Sequence, residues 1–165
     1  MFPMFAVLLP LLLVQGVPLG SAYDPANPFA AIVAAPEGRP GVVIANNGAV
    51  AFMDHRPQAL GHVLVVPRAP VVSLIDATPK QLADTMALAR CVARAQVAAY
   101  AADGLTGITL QQNNGLPNQH VGHLHMHLIP RYAGPQPPAS ATPLRADEME
   151  VLAAKLRAYL PTKEC

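Results

Sequence analysis

Apolar positions along this chain gather into short, dense runs broken by turn-forming residues. VVIA at 42–45 and AVAFM at 49–53 flank Asn46-Asn47-Gly48, which predicts a β-hairpin with a turn-forming Asn-Gly. HVLVVP at 62–67 reads as a buried, β-branched strand, and GITLQQ (107–112) and HLHMHLIP (123–130) as two more. Asn27-Pro28 predicts an N-cap and first position for a short helix through FAAIVA. Thr78-Pro79-Lys80-Gln81 combines a cap, a first-turn proline and the Gln of a capping box, and predicts a helix running to about residue 101. On that helix Lys80, Asp84, Arg90 and Arg94 share one sector, leaving a wide apolar remainder for a sheet, and Asp103-Gly104 ends it. A last helix, Asp147 to Leu160, sets Met149, Leu152, Leu156 and Leu160 near one face. PEGRPG, DHRPQALG and NNGLPNQ read as turns and loops, and 131–143, rich in Pro, Ala and Ser, as an irregular excursion. Five strands with these helices predict an α+β domain on a mostly antiparallel sheet.

Composition narrows the possible partners. The chain has 165 residues, which suits one domain, and a net charge of +1 with 13% charged residues, which gives no basic surface for a nucleic-acid polymer. Cys91 and Cys165 are far apart and neither belongs to a C-x-x-C pair, which argues against a disulfide framework or a zinc knuckle. Cys91 lies in a helical pattern as a small core residue, and a single Cys91–Cys165 bridge stays open.

Much of the apolar content lies in residues 1–22, which carry no charged side chain. Pro3, Pro10, Gly16 and Pro18 suit a membrane-spanning helix poorly, whereas Gly20-Ser21-Ala22 resembles a signal-peptidase cleavage site. We therefore expect a signal peptide at 1–22, a domain at 23–165 and export to the periplasm or exterior. The missing Lys and Arg before the apolar run leave an uncleaved anchor or a misassigned start open, and an uncleaved chain would be cytoplasmic.

The 123–130 run poses the chemical question. Alternation on a strand puts His123, His125 and His127 on one face and Leu124, Met126 and Leu128 on the other. An inert face would be an odd use of imidazole, which is costly to bury unpaired. Three imidazoles suit zinc, yet metal-bound histidines usually lean on carboxylates, and no acidic residue occurs between Asp103 and Asp147. A nucleophile needs a neutral imidazole and uncharged donors for developing negative charge. Clustered imidazoles disfavour multiple protonation, and Gln112, Asn113, Asn114, Asn118 and Gln119 supply such donors.

HLHMHLI has the His-x-His-x-His-apolar-apolar pattern and resembles the histidine triad (HIT) superfamily of nucleotidyl hydrolases and transferases, in its bacterial Hint-like or Fhit-like branch. AFMDHRPQALGHVLVVPR, TPKQLADTMALARCVARA and LQQNNG are similar to further family segments in the same order, so the likeness covers roughly 24–132. It implies a HIT-like fold and no cofactor. It also implies a nucleotide substrate, either a purine mononucleotide derivative or a dinucleoside polyphosphate, and a homodimer. It implies His125 as nucleophile at the α-phosphate, His127 as a donor to phosphate oxygens, and His123 and His62 as the supporting network. Asp54 matches the position that accepts from ribose hydroxyls. Phe29, Ile32 and Phe52 match apolar positions around the base, and Asn113 and Gln119 match phosphate-side positions.

Two departures stand out. The 113–119 loop is one residue shorter than the usual pattern, with Asn118 where Gly is common, so Gln112 competes with Asn113 for its place. His120 stands where other branches carry Ser or Thr, and is either a general acid for the leaving group or an exposed loop residue. His55, after Asp54, reads as surface. The expected activity is that of a nucleotide phosphoramidase or dinucleoside polyphosphate hydrolase. The competing readings are a non-catalytic nucleotide-binding module and a metal-dependent hydrolase.

Overall fold

A computed structural model of the protein describes residues 16–134, 142–161 and 165. The elements are α1 (Ala30–Ala34), β1 (Val42–Ala45), β2 (Ala49–Met53), β3 (Val63–Pro67), α2 (Pro79–Ala99), β4 (Leu105–Gln112), β5 (Met126–Tyr132) and α3 (Ala146–Arg157). The strands form one antiparallel five-stranded sheet in the order β1-β2-β3-β5-β4. This is the α+β architecture expected.

The central strands are buried on both faces, which is why β2 and β3 read as continuous apolar runs. One face packs on α2 and α3 through Ala51, Val65, Leu88, Val92, Ala95, Leu128 and Leu156. The other carries a smaller cluster of Phe29, Val33, Val50, Phe52, Leu64 and Val66, with Ile32 against it. Helix α2 starts with the expected capping box: Thr78 accepts from the Gln81 N–H, and Gln81 accepts from the Thr78 N–H. Met149, Leu152 and Leu160 pack on the first core with Leu156, as their spacing predicts.

Several local expectations are corrected. Helix α1 begins at Ala30, with Phe29 at its N-cap. Asn27 still satisfies the free donors, because its Oδ1 accepts from the Phe29 and Ala30 N–H groups at 3.0 and 3.2 Å. In the hairpin turn, Asn46 Oδ1 accepts from the Gly48 and Ala49 N–H groups. Gly48 is needed there for close approach, since a Cβ would lie 2.7 Å from Asp84 Cβ on α2. Strand β5 continues through Arg131 and Tyr132, so the irregular excursion starts later than expected, and 135–141 lie outside the described residues. Cys91 and Cys165 form a disulfide that ties the chain's last residue to α2.

The expected leader lies partly outside the described residues, which begin at Gly16. From Gly16 to Leu19 the chain packs on the 115–122 loop. The Val17 N–H donates to the Gln119 carbonyl at 2.8 Å, and Leu19 lies against Gly115. No described helix is long and apolar enough to cross a membrane.

Candidate functional site

The largest correction concerns the histidine run. Strand β5 starts at Met126, so His127 alone of the triad lies within the ladder, opposite Leu64 of β3 and Gln111 of β4. Residues 123–125 lack ladder partners. They are held by the Leu124 N–H, which donates to the Val71 carbonyl at 2.8 Å, and by bonds from the imidazoles themselves. Leu124, Met126 and Leu128 are still buried in the core, as alternation predicts.

The hydrogen bonds assign the ring protons. The Nδ1 of His125 lies 2.6 Å from the His123 carbonyl, which can only accept, so Nδ1 carries the proton and Nε2 keeps its lone pair. His123 donates from Nε2 to the Pro67 carbonyl at 2.8 Å. Its Nδ1 therefore accepts, and the Tyr23 hydroxyl stands 3.0 Å away to donate. The Gln58 backbone N–H donates to His62 Nδ1 at 3.1 Å. The proton of His62 is then on Nε2, which donates to His127 Nδ1 at 3.0 Å. His127 is left with an Nε2–H to offer. This chain of donors gives one nucleophilic nitrogen and one adjacent N–H donor, with the two rings 4.9 Å apart.

Burial favours the same neutral state. It pushes the pKa of His62, His123 and His125 below the ordinary imidazole value. For His127, burial first and then the neighbouring His125 and His62 lower it to about 4. Asp54 opposes this at three of the rings but does not prevail, since His62 and His125 have no exposure to speak of.

Asp54 also corrects the reasoning about metals. It is remote in sequence from the triad, yet its Oδ2 lies 3.4 Å from His62 Nδ1 and 3.9 Å from His127 Nδ1. Asp54, His62 and His127 thus form a group that could hold a cation among the described residues. Both His62 nitrogens are already engaged, by Gln58 and by His127, so an ion there would have to displace one of those bonds. Asp54 also serves its local turn, accepting from the Arg56 N–H through Oδ1 at 2.8 Å.

A cavity of about 600 Å³ opens beside these groups, within the usual range for small-ligand sites. His125, His127, His120, Asp54 and Asn113 line its polar part; Phe29, Ile32, Phe52, Val42 and Leu64 line its apolar part. Phe29 meets Phe52 edge-on at 5.2 Å and His125 at 5.4 Å, joining the two parts. His62 and His123 are buried and do not line the cavity.

The Asn/Gln loop sorts its side chains between the cavity and itself. Asn113 faces the cavity, whereas Gln112 turns away to exchange side-chain hydrogen bonds with Asn114. Gln119 does not reach the cavity. It is 1% exposed, donates to the Val72 and Val121 carbonyls and accepts from the Gly115 N–H, so it braces the loop. Asn118 lines the cavity in its stead. Gln111 was missed: it lies opposite His127, lines the cavity, and donates to Asn113 Oδ1 at 3.2 Å. Its two-residue spacing from Asn113 is the signal that pointed to it. Tyr23, the Gln58 N–H, and the cavity-lining Arg39, Pro40, Ala146 and Met149 were also missed.

A five-stranded antiparallel sheet with α2 and α3 on one face, and a cluster of buried histidines at the wall of a half-apolar cavity on the other, define the class of fold and site. The HIT domain family matches residues 36–134, and the chain belongs to that family. Among solved structures, it is similar to a HIT-like protein involved in cell-cycle regulation from Bartonella henselae, with TM-score 0.74 and 34% identity, covering 85% of this chain and 100% of that one. It is 37% identical over 82 residues to the adenosine 5′-monophosphoramidase of Saccharomyces cerevisiae, covering 49% of this chain and 48% of the relative. It is 36% identical over 81 residues to the asymmetrical bis(5′-nucleosyl)-tetraphosphatase of Schizosaccharomyces pombe, covering 49% of this chain and 43% of the relative.

Proposed function

We propose that this protein hydrolyses or transfers nucleotidyl groups at the α-phosphate, as a nucleotide phosphoramidase or a dinucleoside polyphosphate hydrolase. The observation that carries this is the Nδ1–H bond from His125 to the His123 carbonyl, which leaves a lone pair on Nε2 at the cavity wall. In the first step Nε2 bonds to the α-phosphorus and the bond to the leaving group breaks, with the leaving group keeping the electron pair and taking up a proton. In this reading His120, which is exposed and lines the cavity, gives that proton. The Nε2–H of His127 donates to a phosphate oxygen as charge develops there. Water then attacks phosphorus and gives its proton to the now neutral His120, the P–N bond breaks, and its electron pair returns to His125 Nε2 as the lone pair.

Phe29, Ile32 and Phe52 take the base in this reading, Asp54 accepts from the ribose hydroxyls, and Asn113 with Gln111 and Asn118 serves the phosphate. The support is their common placement around one cavity and the activities of the two yeast relatives. Incubation with an adenosine phosphoramidate and with a diadenosine polyphosphate, with mass spectrometry of acid-sensitive protein adducts, tests it. A nucleotidyl adduct on His125 is the expected result. AMP binding without adduct or turnover would instead make the protein a binding module. Loss of turnover with a chelator and its return with a divalent ion would make it a metal-dependent hydrolase using the Asp54–His62–His127 group.

A further inference from the structure

We infer that Tyr23 is a positioning residue for the nucleophile, acting through His123; this rests on the nucleotidyl-transfer reading above. Residues 123–125 precede β5, so the sheet does not fix the His123 carbonyl that orients His125. The bonds that fix it come from elsewhere: the Val71 carbonyl holds the Leu124 N–H, the Pro67 carbonyl holds the His123 Nε2–H, and the Tyr23 hydroxyl donates to His123 Nδ1 at 3.0 Å. With Nε2 committed to Pro67, only a donor can satisfy Nδ1, and His123 is fully buried. The Tyr23 ring also packs edge-on against the imidazole, centroids 5.4 Å apart. Tyr23 does not line the cavity, so it acts on substrate only through His123.

Without the hydroxyl, His123 Nδ1 has two courses. It stays an unpaired buried acceptor, which frees the ring to turn, or it takes up a proton and places a cation beside His125. The titratable groups facing His123 are Tyr23 and His125, and the second course sets a His123 cation against His125. Either course impairs orientation or nucleophilicity of His125 while leaving the cavity and its apolar walls intact.

The test compares Tyr23→Phe, which keeps the ring and loses the hydroxyl, with Tyr23→Ala, which loses both, alongside His125→Ala. In each full-length chain the rate of adduct formation, KM, melting temperature and imidazole 15N shifts are recorded across pH. For Tyr23→Phe we expect about a fivefold or greater slowing of adduct formation, the scale of one lost hydrogen bond, with KM unchanged. We expect the acid limb of the rate and the titration of His123 to move together to higher pH. Tyr23→Ala should slow adduct formation at least as much. A Tyr23→Phe chain with the wild-type rate and pH profile would overturn the inference, as would a wild-type His123 carrying its proton on Nδ1, a readout that needs no variant. If wild-type protein forms no adduct that His125→Ala abolishes, the nucleotidyl-transfer reading fails first, and the 15N result then reports on Tyr23 separately.

Discussion

At the residue scale the chemistry depends on where four protons sit. His125→Ala should lower adduct formation by roughly 10³-fold or more, because the attacking atom is gone. His127→Ala should cost about 10²–10³-fold in kcat, typical for one donor to a developing anion. Measured KM should change little for either, which separates lost chemistry from lost binding. The pH dependence follows from burial. His127 is shifted from 6.5 to about 4, so the unfolded chain takes up a proton below pH 6.5 that the folded chain refuses. Its contribution to stability is complete above 6.5 and is lost as pH falls through about 4. Turnover should stay level as pH drops past 6.5, with the acid limb displaced below it, since burial also lowers the pKa of the nucleophile His125; a limb centred at 6.5 would contradict a neutral, buried triad.

At the element scale, close contacts hold the histidines in register. Gly61, just before His62, has φ +79° and lies so near Tyr100 that a Cβ would come within 2.4 Å of its ring. Gly61→Ala combines backbone strain with a clash against a buried aromatic, and should destabilise the fold by about 2–4 kcal/mol in denaturant melts. Gln96 of α2 reaches across the core to donate to the Gly61 and Leu128 carbonyls at 2.8 and 3.2 Å, next to His62 and His127. The element pattern itself was legible because each signal is local: the Thr78–Gln81 box, the apolar run of β2 and the β-branched run of β3 each depend on neighbours within a few residues. The start of β5 was not legible. Residues 123–130 alternate well enough for a continuous strand, but the β3–β5 ladder ends at Val65–Met126, and beyond it the Pro67 carbonyl accepts from the His123 imidazole instead.

At the scale of the whole molecule, the Cys91–Cys165 bridge closes a loop with sequence separation 74 and ties the C-terminus to α2. Reduction, or Cys165→Ser, should lower stability by about 2–4 kcal/mol with adduct chemistry retained, as read from melting temperature and activity with and without reductant. A disulfide suits an oxidising compartment, and we propose, as a separate reading, that residues 1–22 are removed on export. Intact-mass analysis of cell-derived protein should then show a chain starting at Tyr23 with the bridge formed; Met1 on an unprocessed cytoplasmic chain would refute this. We also expect a homodimer, since β4 is an edge strand with Leu110 47% exposed. Light scattering should give twice the chain mass, and Leu110→Lys should shift it toward monomer.

The sequence by itself determined the α+β class, the extent of α2, the apolar and polar sorting of the sheet and the presence of the histidine run, because periodicity and motif order are properties of a linear string. The tertiary structure alone decided which imidazole nitrogens carry protons, since those follow from a Gln58 N–H and carbonyls at Pro67 and His123 that no pattern of side chains announces. It alone brought Asp54 to His62 and His127, turned Gln119 inward as a brace, set Asn113 and Gln111 on the cavity, and laid Tyr23 against His123. Each of these joins residues distant in the chain through directional hydrogen bonds or shared burial, and such geometry exists only once the sheet has assembled.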